Sequence, residues 1–212
     1  MEKKLFIVGC GPGSPDYLTP VALKAIQSAS VILGVKKLLD MFPDVNAQRI
    51  PLGRNIPEAV DKISIYIETH VVAVLVSGDP GLFSLARLVI DKYGRDSCEI
   101  IPGISSVQMA FARLGLTWHD ARLISAHKQV PEDDPVALYR EFRKLAIFAG
   151  SAQTGKWLAS SFVNFPHKPD VVVCENLTLQ DEKITYLRIG ELESFELEPS
   201  SIIIVIDPEM LR

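Results

Sequence analysis

The chain has 212 residues, 48% of them hydrophobic and 23% charged, with a formal net charge of -4. That size suits one large domain or two of about 100 residues each, and the acidic balance without a basic stripe argues against nucleic-acid binding. No apolar run approaches the ~20 residues of a membrane span, and the start of the chain shows no charged-then-apolar leader. Together with three scattered cysteines, which offer no disulfide framework, this predicts a cytoplasmic protein.

The first element is a short buried strand over 5–8, bounded by Gly9. It runs into "VGCGPGSPDYLT", residues 8–19. Thr19 then reads as an N-cap with Pro20 at the first helical position, and Val21, Ala22, Ala25, Ile26 and Ala29 recur at helical spacing. A second strand spans 31–33, ended by Gly34, and a polar-faced helix spans 56–69. The β-branched run over 71–76 predicts a strand buried on both faces, leading into "SGDPGLFS". A helix over 82–93 closes at Gly94. A strand over 98–101 enters "PGISS", and a helix over 105–114 closes at Gly115. Strand and helix alternate, which predicts an α/β domain on a mostly parallel sheet.

The rhythm then changes. A strand over 123–126 precedes the charged loop "PEDDP", residues 131–135. A helix to residue 145, a strand over 146–149 and a helix from 153 to about 162 follow. Strands over 171–174, 184–189 and 202–206 complete a second α/β domain with a more antiparallel, mixed sheet. The boundary falls near 118–120, giving domains 1–118 and 119–212.

The first loop fails as a dinucleotide fingerprint on three grounds. Its third glycine position holds Ser14, Pro12 and Pro15 remove amides that would hold a pyrophosphate, and no acidic residue ends the second strand, where Gly34 and Val35 stand. The phosphate-binding Gly-Lys-Ser/Thr pattern is absent as well. A tight strand-to-helix turn accounts for the same residues. Asp79-Pro80-Gly81 is likewise a good turn, and Ser105 or Ser106 would cap the helix after it. All three loops nevertheless follow strands of one predicted parallel sheet, and open sheets bind ligands at their carboxyl edge. His70, His119 and His167 lack metal-ligand spacing, Glu175 beside Cys174 makes no ligand pair, and no catalytic triad or protein-bound metal is expected.

On "VGCGPGSPDYLTPVAL", "VLVSGDPGLFS" and "IIPGISSVQMAFARLGLTWHDARLISAH", the chain resembles the tetrapyrrole (corrin and porphyrin) methylase family. "VCENLTLQDEKI" and "SSIIIVID" resemble the branch that methylates carbon 5 of a corrin precursor in cobalamin biosynthesis, in its stand-alone form. The resemblance implies two α/β domains with S-adenosylmethionine held in a cleft between them, a corrinoid substrate and a homodimer. Carried over residue by residue, it implies cofactor contacts at Pro12, Asp79, Leu82, Ser105 and Ser106. With a looser match it adds Ala149, Gly150, Asn176 and Leu177. Gly11 and Gly13 match the side of the first loop that faces the macrocycle. His127 and Lys128 stand where the branch usually has His-Gly-Arg, so this chain's His-Lys-Gln displaces the cation by one position. His127 is the one weak catalytic candidate. Arg113 and Arg122 are further cations for the substrate's carboxylates. The alternatives are another methylase of this fold acting on a different tetrapyrrole, or a non-catalytic nucleotide-binding regulatory domain.

Overall fold

The computed structural model describes residues 5–53, 55–127 and 129–211. They form two compact units, Met1–Ser106 and Val107–Arg212.

In chain order the first unit contains β1 (Leu5–Gly9), α1 (Pro20–Ser28), β2 (Val31–Gly34), α2 (Lys36–Leu39), β3 (Gln48–Pro51), α3 (Ile56–Ile67), β4 (Val72–Val76), α4 (Ala86–Tyr93) and β5 (Cys98–Ile101). The sheet order is β3-β2-β4-β1-β5, and all four pairings are parallel. Strand periodicity divides the apolar residues between two faces. Val72, Val74 and Val76 pack with Ala59, Val60 and Ile63 of α3 and Val89 of α4. Ala73 and Leu75 pack with Ala22 and Ile26 of α1 and Leu38 of α2. Helices therefore cover both faces, which is why all five residues of β4 are buried. The predicted cap of α1 is present: the Thr19 hydroxyl accepts from the Ala22 amide at 3.2 Å.

Two local readings are corrected here. Residues 82–85 are not the start of α4, because Phe83 is left-handed (φ 48°). The Ser84 hydroxyl, bonded to the Pro80 carbonyl at 2.6 Å, takes the Ala86 amide instead. The sequence reading also omitted α2 and β3.

α5 (Ser106–Leu114) leads into the second unit, followed by β6 (Arg122–Ala126), α6 (Pro135–Phe142), β7 (Lys144–Ala149), α7 (Ala152–Ser161), β8 (Asp170–Glu175), β9 (Lys183–Arg188) and β10 (Ile202–Ile206). The order is β6-β7-β10-β8-β9; β6 and β7 are parallel and the other pairs antiparallel. A helix to residue 145 is not formed. Arg143 is left-handed (φ 57°), a conformation that ends a helix, and β7 begins at Lys144. The core packs Leu145, Ile147, Val171, Val173, Ile203 and Val205 against Leu158 of α7, Phe162 just after it and Tyr139 of α6. Tyr139, Phe162 and Phe165 meet edge-to-face in three pairs, with ring centroids 5.5–5.8 Å apart, the favoured aromatic arrangement.

Lys144 is 4% exposed, which is tolerable only with partners. Its ammonium donates to the Thr117 carbonyl at 2.9 Å and to Asp120 at 2.6 Å, and lies 5.9 Å from the Phe111 ring centre. That hydrogen bond holds the Asp120 carboxyl below the usual aspartate range. A depressed carboxyl contributes stability above its unfolded value, and the contribution disappears as the pH falls through the folded one. Lys144→Met should cost about 1–2 kcal/mol at neutral pH. The gap to wild type should narrow below about pH 4. Thermal melts at both pH values measure it; a gap independent of pH would remove the ion pair from the stability of this corner.

Candidate functional site

Parallel pairing puts the carboxyl ends of β4, β1 and β5 side by side, and the three Gly-Pro loops leave from those ends. The loops do more than converge. Gly11 and Gly78, both left-handed (φ 79° and 66°), exchange backbone hydrogen bonds: Gly78 N–H to Gly11 O at 2.8 Å and the reverse at 3.3 Å. An antiparallel bridge thus ties the first two loops beyond the end of the parallel ladder. A side chain on Gly9 would place Cβ 2.7 Å from both the Gly103 nitrogen and the Gly78 oxygen, and 2.8 Å from Pro80. One on Gly103 would collide with the Gly78 carbonyl. Gly9 and Gly103 thus have no room for a methyl group in this stack, and Gly78 between them is held to glycine by its left-handed backbone.

Asp79 joins the stack. One carboxylate oxygen accepts from the Gly81 amide at 2.7 Å within its own loop, the other from the Gly103 amide at 3.0 Å in the next. The half-buried carboxylate therefore clamps the loop after β4 to the loop after β5. Leu82 is half-buried and donates its amide to the Asp79 carbonyl at 3.2 Å. Ser105 is 5% exposed, and its Cα would lie 3.5 Å from a Cβ at Gly78. Ser106 starts α5. Pro12 and Gly13 are half-buried beside the bridge. Pro12, Asp79, Leu82, Ser105 and Ser106, with Gly11 and Gly13, all belong to this one edge.

The second unit makes a comparable edge. β7 and β8 are both antiparallel to β10, so with β6 they point the same way. His127, Ala149–Gly150 and Asn176–Leu177 follow or end these three strands. Gly150 packs directly on the His127 carbonyl and could not carry a Cβ there. Ala149 donates its amide to the Ser201 carbonyl at 2.9 Å. His127 is exposed, and Lys128 lies outside the described residues. Asn176 and Thr178 are left-handed without being glycine (φ 49° and 70°), a conformation that needs outside support. Asn176 donates to Asp181 at 2.8 Å, and the Thr178 amide donates to Glu182 at 2.6 Å. Glu182 is in turn gripped by the Arg113 guanidinium through two bonds of 2.6 and 3.1 Å, which hold its carboxyl below the usual glutamate range. Arg113, read from the sequence as a substrate cation, spends its charge on this loop. Arg122 at the start of β6 is exposed.

Neither edge carries an activated thiol. Burial pushes Cys10 in the first loop, and Cys174 in β8, up to about 12, far from the thiolate form that attacks. The first loop also lacks a phosphate cradle. A three-residue turn of helix, Pro15–Tyr17, follows it, and the amino end of α1 is taken by its own Thr19. What the first edge presents is bare, rigid backbone with a serine beside it. Glu175, set aside in the sequence as half of a ligand pair, ends the apolar run "VVVC" and is buried.

The family model described as "Tetrapyrrole (Corrin/Porphyrin) Methylases" matches residues 4–193. A probable cobalt-precorrin-7 C(5)-methyltransferase of Methanocaldococcus jannaschii is 30% identical over 194 residues, 89% of this chain and 90% of that protein. A cobalt-precorrin-7 C(5)-methyltransferase of Salmonella typhimurium is 30% identical over 203 residues, 95% of this chain and 98% of that one. Among solved structures, a cobalt precorrin-4 methyltransferase of cobalamin biosynthesis is similar with a TM-score of 0.81 at 25% identity, covering 100% of this chain and 97% of that chain.

Proposed function

The chain belongs to the tetrapyrrole (corrin/porphyrin) methylases, and from that premise we propose that it is an S-adenosylmethionine-dependent C-methyltransferase acting at carbon 5 of cobalt-precorrin-7, in cobalamin biosynthesis. The observation that carries the assignment is the likeness, over nearly the whole of both chains, to relatives named for that reaction. The first edge is consistent with it: the amino end of α1 is taken by Thr19 rather than left for a phosphate, and S-adenosylmethionine carries none. Pro12, Leu82, Ser105 and Ser106 hold the cofactor there, with Asp79 fixing the loops. Ala149, Gly150, Asn176 and Leu177 contribute from the second unit.

When bound, S-adenosylmethionine supplies a sulfonium methyl for in-line displacement by the ring carbon. The protein's part is placement, which is worth several kcal/mol without any side-chain nucleophile; the high thiol values of Cys10 and Cys174 agree with that. Gly11 and Gly13 let the first loop approach the flat macrocycle. Lys128 and Arg122 provide cations for its carboxylates, since a chain of net charge -4 must hold positive charge locally. His127 is a substrate-side contact. The protein works as a cytoplasmic homodimer. Light scattering at micromolar concentration should give twice the 23.4 kDa chain mass; a constant single-chain mass would reject the dimer.

Incubation with cobalt-precorrin-7 and S-adenosylmethionine should add one methyl, seen by mass spectrometry, with S-adenosylhomocysteine released. Methylation only of another tetrapyrrole would replace the substrate, and cofactor binding without transfer to any corrinoid would leave a regulatory domain. In the same assay Lys128→Ala should raise KM for the corrinoid several-fold, about 1 kcal/mol for one solvent-screened contact, and leave cofactor affinity unchanged.

A further inference from the structure

Glu175 ends β8 with 3% of its surface exposed. Among the described residues no lysine, arginine or histidine forms an ion pair with it. A charge so placed is retained only where hydrogen bonds hold it. One carboxylate oxygen accepts the Glu198 amide at 3.1 Å and lies 3.5 Å from the Ser201 hydroxyl. That hydroxyl has a single proton, and the Glu198 carbonyl, 2.6 Å away, takes it. The Glu198 amide is therefore the donor that anchors the acid.

The anchored turn is strained and leads to the site edge. Ser200 within it is left-handed at φ 74°. The Ser201 amide closes the turn on the Glu198 carbonyl at 3.2 Å, and the Ser201 carbonyl receives the Ala149 amide at 2.9 Å. Ala149 precedes Gly150, which rests on the His127 carbonyl. On its other side Glu175 adjoins Asn176, itself left-handed. One buried carboxylate thus braces the ends of β7 and β8 together.

We propose that Glu175 is a positioning residue: its carboxylate, through Glu198 and Ser201, sets the backbone of Ala149–Gly150 and Asn176–Leu177 for S-adenosylmethionine. This rests on the methyltransferase reading. The test is calorimetric titration with S-adenosylhomocysteine and steady-state kinetics on wild type, Glu175→Ala, Glu175→Gln and Ser201→Ala. Glu175→Ala should weaken the cofactor product and raise KM for S-adenosylmethionine by roughly tenfold, with kcat at saturation and corrinoid KM nearly unchanged. Glu175→Gln keeps an oxygen for the Glu198 amide and should stay within about threefold of wild type. Ser201→Ala should fall between. A merely structural acid would lower the melting temperature without this KM-against-kcat split. A folded Glu175→Ala protein with wild-type affinity overturns the proposal, as does Glu175→Gln binding as poorly as Glu175→Ala. Should Glu175→Ala not fold, Glu175→Asp, whose carboxylate is one methylene short of the Glu198 amide, takes its place, and wild-type affinity there overturns the proposal. If wild type binds no S-adenosylhomocysteine, the methyltransferase reading itself fails.

Discussion

Gly103→Ala should lower the melting temperature by roughly 5–10 °C and abolish measurable S-adenosylmethionine binding. The new methyl would collide with the Gly78 carbonyl and sit 2.8 Å from both the carbonyl carbon and oxygen of Gly9. All three atoms are backbone, held by the Gly11–Gly78 bridge and by the ladder of β1 with β4. No side chain can swing aside, so relief requires the loops after β1, β4 and β5 to separate. Overpacking against atoms that cannot move costs typically 1–3 kcal/mol and at times more, and here the structure displaced is the proposed cofactor shelf. Gly190→Ala is the control. Nothing lies within 4 Å of a Cβ there, so stability should stay within about 0.5 kcal/mol of wild type. Differential scanning calorimetry of the three proteins, followed by titration with cofactor, reads both effects. If Gly103→Ala melts and binds like wild type, the three-loop stack is looser than its distances say.

Part of this arrangement is legible in the chain and part is not, for physical reasons. β4 and β10 announce themselves as unbroken apolar runs because each is buried on both faces. β3 gives no such signal: its residues are mostly exposed at the sheet's edge, and "QRIP" has no alternation to read. α4 reads four residues too long because Leu82 and Leu85 suit a helix, and the left-handed backbone at Phe83 that forbids it leaves no mark in the local pattern. The loops themselves are recognisable from Gly, Pro and Asp after strands. Their adjacency depends on the strand order β4-β1-β5, which no local pattern encodes. The bonds that matter most join distant positions: Asp79 to Gly103 across 24 residues and Glu175 to Glu198 across 23. From the sequence Asp79 is a carboxylate at a strand end, and the natural reading is a ligand contact. In the structure both its oxygens already hold backbone amides.

That difference sets the second large effect. Asp79→Ala should lower S-adenosylmethionine affinity by more than about tenfold, and the damage should already be present without ligand. Hydrogen bonds to a charged acceptor contribute about 1.5–3 kcal/mol each, and Asp79 makes two, one of 2.7 Å within its own loop and one of 3.0 Å to the next. Half-burial discounts the sum, so a loss of about 2–3 kcal/mol of stability, roughly 5 °C in melting temperature, is expected for the ligand-free protein. Asp79→Asn separates a clamp from a contact. Its amide offers one acceptor and one donor, so one of the two backbone N–H groups must face another N–H, and the part-buried Gly103 amide is the one that water replaces least well. Asn should therefore be nearly as harmful as Ala, although it is isosteric and would serve well enough as a hydrogen-bonding partner for a ribose hydroxyl or an amine. Melting of the free protein and calorimetric affinity, measured on both variants, decide the matter. Wild-type melting with weakened binding would mean that Asp79 acts on the ligand directly. Lowered melting in both, with binding lost in proportion, would mean that the acid works by holding the loops after β4 and β5 in one shape. No change in either quantity would remove Asp79 from the site.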